Sequence, residues 1–185
     1  MIRAQTSRSQ IIKDEAYWFT LILLGQRKGI SALPAKLGLN DLEFAALIST
    51  ANEIEEIAQK SYCISSSNTR EELLELRLDE CKELIDLLTQ HTTKTTNKTL
   101  WMAKVIAVAC MGSHHLWQDL GLPDRESLSE LMDSVFPSLA AKNSKNMRWK
   151  KFLYRQLCEE GGHFICRSPS CETCPTYNEC FGDEI

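Results

Sequence analysis

Apolar residues recur along most of the chain at spacings of three and four, and strand-like alternation is scarce, so the pattern predicts a mostly α protein. A first helix is expected from about Ile11 to Arg27, ending near Gly25 or Gly29. A second starts after Asn40 or Asp41, with Leu42, Ala45, Ala46, Ile48, Ile54, Ile57 and Ala58 on its buried side. Ser65 to Thr69 reads as a polar break. Thr69-x-x-Glu72 reads as a capping box opening a third helix, whose stripe is Leu73, Leu76, Cys81, Leu84, Ile85 and Leu88. His91 to Thr99 is rich in Thr and Lys and lacks periodicity, which predicts a loop into a very apolar helix from Leu100 to Met111, the expected centre of the core. After His114, His115 and Trp117 comes a short helix from about Asp124 to Val135, closed by Phe136-Pro137. A final helix runs from roughly Asn146 to Glu159 and stops at Gly161-Gly162, a pair suited to a left-handed cap.

At 185 residues the chain fits one helical domain with a C-terminal cysteine-rich metal-cluster loop segment. The division falls between 1–145, the helical part, and 146–185, a basic helix followed by the cysteines. With 25 acidic against 21 basic residues the balance is mildly acidic, which argues against wholesale coating of nucleic acid. The longest strongly apolar run, Ala16 to Leu24, is too short to span a bilayer and follows Asp14 and Glu15 rather than the positive charge of a secretion signal. The expected location is cytoplasmic, with no membrane partner. In a reducing compartment eight cysteines favour metal ligation over a disulfide framework.

The strongest chemical signal is Cys166-x4-Cys171-x2-Cys174-x5-Cys180, four thiols within fifteen positions, with Pro169 and Pro175 stiffening the turns. Zinc and iron both favour thiolates, so spacing has to discriminate. Structural zinc sites usually pair two C-x2-C knuckles, whereas here one C-x2-C is flanked by longer arms, as where a chain wraps an iron–sulfur cluster. The cluster is the favoured reading, with a zinc-stabilised interaction module as an alternative. Cys158 and His163 are candidate additional ligands. Cys81 and Cys110 fall on apolar helical faces and read as core residues, while Cys63 carries no signal. His114 and His115 are adjacent and would diverge by about 100° on a helix, so they read as helix-end histidines facing terminal carbonyls.

In Lys142 to Leu157, helical spacing puts Trp149, Phe152, Leu153 and Leu157 on one face and Arg148, Lys151 and Arg155 on another. The apolar face is expected to dock the cluster segment onto the body. The basic stripe is either a solvated face or a device that offsets cluster charge and draws in an oxyanion. Because the aromatic residues fall on the buried face, they make poor stacking platforms for nucleic acid. No P-loop, dinucleotide fingerprint, zincin or nucleophile-elbow pattern occurs, and no acid/base pair stands out, so no catalytic residue is assigned.

The succession His115-Leu116-Trp117-Gln118-Asp119-Leu120-Gly121-Leu122, then Asn146-Met147-Arg148-Trp149-Lys150-Lys151-Phe152, Tyr154-Arg155-Gln156-Leu157-Cys158-Glu159, and the four-cysteine run closing with Phe181-Gly182, resembles the NifQ family of nitrogen-fixation proteins. The resemblance is close from His115 to Gly182; before that it extends only to length and helical character. It implies a molybdenum donor for the nitrogenase iron–molybdenum cofactor, an assembly factor rather than an enzyme. It further implies a Mo–Fe–S cluster on Cys166, Cys171, Cys174 and Cys180, with the NifEN scaffold and NifH as partners. The runner-up is a DNA-repair glycosylase-like protein, since helical base-excision enzymes end in C-x6-C-x2-C-x5-C. Those enzymes carry a helix-hairpin-helix that is not found between Leu100 and Gly162.

Overall fold

The computed structural model describes residues 13–49, 77–160 and 177–182, and among these the chain is helical with no strand. The expectations at Ile54, Ile57, Ala58, Cys63, Ser65 to Thr69, Glu72, Leu73, Leu76 and Gly161-Gly162 lie outside the described residues. Helix α1 (Glu15–Arg27) starts later than Ile11 because the Asp14 carboxylate accepts the Tyr17 N–H at 3.0 Å, satisfying a donor that the first turn leaves orphaned. Gly25 is not its terminator. A Cβ there would stand 2.1 Å from the Gly121 carbonyl oxygen, so Gly25 is where the backbone of α1 meets that of Gly121.

Helix α2 (Asp41–Ser49) opens with a reciprocal cap: Asn40 Oδ1 accepts from the Glu43 N–H at 2.9 Å, and Glu43 Oε2 accepts from the Asn40 N–H at 3.2 Å. Its buried face differs from the expected one. Phe44 and Leu47 go inside, Ala46 and Ile48 are half-buried, and Leu42 is 83% exposed with Ala45 also exposed. A bulky aromatic three positions before a Leu buries more surface than the Leu42–Ala45 pair, and that decides the rotation of the helix.

Helix α3 (Leu78–Gln90) buries Cys81, Leu84, Leu87 and Leu88, with Ile85 at the edge. It does not continue the expected stripe unbroken: Arg77 precedes it at φ −123°, outside helical geometry, and its guanidinium turns forward to the Glu80 carboxylate at 2.6 Å. Helix α4 (Asn97–Cys110) starts three residues before Leu100. Thr96 is its cap, accepting the Thr99 N–H at 3.2 Å while Thr99 Oγ1 accepts the Thr96 N–H at 2.9 Å. Every residue from Val105 to Cys110 is buried, and α4 packs against both α3 and α1, so the expected central helix is central.

A turn carrying His114 and His115 leads to α5 (Leu116–Leu120), capped by Gly121 in the left-handed region at φ +77°. Asp124 caps α6 (Arg125–Val135) by accepting the Ser127 N–H at 2.7 Å. Pro137 opens a further helix, α7 (Pro137–Lys142), instead of closing α6, since the first turn of a helix needs no N–H and suits the fixed φ of proline. Helix α8 (Trp149–Glu160) begins later than Asn146, which stands at φ +53° in a turn tied by Asn143 and Arg125 to the backbone of Asn146 and Met147. Trp149, Phe152 and Leu153 join the main core and Leu157 packs at its rim, as the helical spacing predicts. Helix α9 (Tyr177–Phe181) ends the described chain. No helix among the described residues is long and apolar enough to cross a membrane.

Candidate functional site

Of the four predicted thiol ligands, Cys180 is described; Cys166, Cys171, Cys174 and the candidate ligand His163 lie outside the described residues. Cys180 sits half-buried on α9 and packs against the core with Phe181. Its carbonyl accepts the Arg148 N–H at 2.7 Å, and Arg148 Nε donates to the Gly182 carbonyl at 3.2 Å, so one residue at the start of α8 holds the end of the cysteine segment through main chain and side chain together. The rings of Tyr177 and Phe181 stack at 4.5 Å on the same short helix. Among the described residues no three His, Cys, Asp or Glu side chains converge as a metal site.

The remaining cysteines divide by burial. Cys81 and Cys110 are core residues, as expected, and burial pushes both thiols up, that of Cys110 to about 12. Thiols that resist ionisation make poor ligands. Cys158 is half-buried on α8 with a free thiol.

The members of the predicted basic stripe are engaged differently. Arg148 precedes α8 and is spent partly on α9, while Arg155 turns down its helix to Glu159 at 2.7 Å. Lys151 remains exposed. Lys150, which the stripe omitted, is a half-buried anchor: its ammonium donates to the Asp119 carboxylate and, at 2.9 Å, to the Gly112 carbonyl. Asp119 is 1% exposed and also accepts the His114 N–H at 3.1 Å. A Cβ on Gly112 would stand 2.4 Å from the carboxylate carbon of Asp119, so only glycine leaves room for this ion pair. The pattern contained one signal for it. Asp119 falls among Leu116, Leu120 and Leu122 in a run headed for the core, and a carboxylate so placed requires a cation.

His114 and His115 do not face the terminal carbonyls of a helix; His115 is instead the N-cap of α5. They lie in the turn before α5, where the His115 N–H donates to Gln118 Oε1 at 3.1 Å and the His114 ring approaches Asp119 at 3.4 Å. That turn and the start of α8 enclose a cleft of about 420 Å³ whose lining includes His114, His115, Arg148, Lys150 and Lys151, with Glu179 from α9 at its edge. Arg155 is not part of it.

The NifQ family model matches residues 18–182, a span that includes α8, the cysteine run and nearly all the described structure. The chain is 49% identical over 174 residues to Protein NifQ of Azotobacter vinelandii, which covers 91% of this chain and 88% of that protein. The chain belongs to the NifQ family. Two further NifQ proteins match along most of their length: that of Klebsiella pneumoniae at 35% over 165 residues, covering 89% of this chain and 96% of its own, and that of Rhodobacter capsulatus at 32% over 182 residues, covering 97% and 95%. No solved structure matches. NifQ membership implies a role in nitrogen fixation and points away from the DNA-repair glycosylase alternative.

Proposed function

We propose that this NifQ-family chain is an assembly factor, not a catalyst, that carries a molybdenum–iron–sulfur cluster and donates molybdenum to the iron–molybdenum cofactor of nitrogenase. Cys166, Cys171, Cys174 and Cys180 hold the cargo, the NifEN scaffold receives it with the help of NifH, and the setting is the cytoplasm. The observation that carries the reading is the attachment of Cys180: a half-buried thiol on a short helix, fixed to the body through Arg148 next to a cleft lined by Arg148, Lys150 and Lys151. Four soft thiolates match an iron–sulfur core, and the neighbouring positive charge of Arg148, Lys150 and Lys151 offsets the anionic charge that such a core brings.

The test is anaerobic. Purified protein should contain iron, acid-labile sulfide and molybdenum, and should pass molybdenum to the scaffold partners in the absence of free molybdate. Cys171→Ala should lose the metal while keeping its helical content. One zinc per chain with no iron would sink the cluster, and loaded protein that transfers no molybdenum would sink the donor role.

A further inference from the structure

The cleft beside Cys180 has a wall that thiol ligation alone does not explain. Arg148 and Lys151 bring permanent positive charge from the start of α8, Lys150 adds an ammonium whose charge Asp119 already balances, and His114 and His115 add ring nitrogens from the turn before α5, with Glu179 as a lining carboxylate. The two segments are distant in sequence. They are pinned together by the buried Asp119–Lys150 pair and by the Lys150 contact to the Gly112 carbonyl, so the cleft is built by the core and not by chance meeting of surface side chains.

We propose that this cleft binds a tetrahedral oxyanion; resting on the donor reading above, that anion is molybdate. A concave surface with low-dielectric walls concentrates the field of its charges, so a doubly charged anion gains more here than beside the same cations on a convex face. Donors suited to its oxygens converge from three sources. The ammonium of Lys150 has three N–H groups, of which one goes to Asp119 and one to Gly112. Gln118 lines the cleft with its carbonyl oxygen accepting the His115 N–H and its amide nitrogen as a further donor, and Ser113 adds a hydroxyl that lies 3.4 Å from the His114 ring. The volume of about 420 Å³ holds such an anion with part of its hydration. Arg148 links this site to the cysteine segment, because the residue that lines the cleft also fixes the backbone of Cys180 and Gly182.

The experiment is equilibrium dialysis of molybdate against the full-length, cluster-free protein at fixed ionic strength. One saturable site is expected, displaced by tungstate and sulfate and unaffected by replacing the background salt with another chloride salt. Lys151→Glu, at an exposed position, is expected to weaken binding at least tenfold with an unchanged thermal melt, and His114→Ala to weaken it less. A variant with Cys166, Cys171, Cys174 and Cys180 all changed to Ala should keep the site. Absence of saturable binding by folded protein, indifference to Lys151→Glu, or loss of binding with the cysteines would each overturn the proposal. If loaded protein donates molybdenum while the cluster-free protein binds no molybdate, the cleft falls and the donor role stands. Binding without any later transfer supports the cleft and removes the donor role.

Discussion

Two seams of this molecule are built on opposite chemistry. Between α3 and α4, which pack together, the buried side chains are mainly apolar, with Leu84, Leu87, Leu88, Met102 and Ile106 all essentially excluded from water. Where the turn before α5 meets the start of α8, the centre of the contact is instead a buried carboxylate on an ammonium, surrounded by backbone hydrogen bonds to Gly112 and His114. An apolar seam needs volume and tolerates many ways of filling it. A buried ion pair gains little over an apolar pair of the same shape, yet it fixes one geometry and is costly to break by halves. The second seam is the one that borders the cleft and the cysteine helix. Stability comes mainly from the first, and placement of charge from the second.

The sharpest way to break this contrast is to remove half of the pair. Asp119→Ala leaves the Lys150 ammonium facing a cavity with its side chain 17% exposed, and it strips the acceptor from the His114 N–H. A loss of about 4 kcal/mol in urea unfolding is expected. The double variant Asp119→Leu with Lys150→Met should recover much of that loss, since neither charge is then left alone, while molybdate binding stays impaired. A double variant no more stable than Asp119→Ala would show that the seam relies on its hydrogen bonds and not on charge matching.

The apolar seam should answer differently. Met102→Ala, at a fully buried position on α4, is expected to cost about 3 kcal/mol through lost burial and the cavity left behind. Met102→Leu, which nearly conserves volume, should cost under about 1.5 kcal/mol. Because Met102 does not line the cleft, anion binding should be unchanged in both once the protein is folded. A binding defect in Met102→Leu would mean that the two seams are coupled.

The same contrast explains which parts could be read from residue order. The central helix, the core role of Cys81 and Cys110 and the buried face of Trp149, Phe152 and Leu153 all follow from helical spacing, because apolar burial is periodic and largely local. The errors fall where a polar group overrode the period. Thr96 and Asp14 moved helix starts by capping, and Pro137 opened a helix because its missing N–H costs nothing there. Leu42 lost to Phe44 because two periodic faces competed and the tertiary packing chose. Lys150 escaped because its partner lies in another segment, and a charged residue in a basic run looks solvated until the carboxylate that holds it is placed. Of the predicted thiol site, Cys180 can be compared with its surroundings; Cys166, Cys171 and Cys174 lie outside the described residues.

The smallest effect tests a polar contact that belongs to neither seam. Asp124 caps α6 through the backbone N–H of Ser127, and that hydrogen bond holds its carboxyl below the ordinary range. Asp124→Ala is expected to cost about 1 kcal/mol at neutral pH. A carboxylate with a depressed folded pKa contributes fully above its unfolded value, about 3.9, and the contribution disappears as pH falls through the folded value. The stability gap between the native protein and Asp124→Ala should therefore stay constant from pH 7 to about pH 5 and narrow below it. Asp124→Asn keeps an acceptor oxygen without the charge, so it should retain most of the cap at pH 7 and lose the acid-side dependence. A gap that persists unchanged at pH 3 would show that the cap works through shape alone, and would place Asp124 with the apolar seam, where pH has no hold.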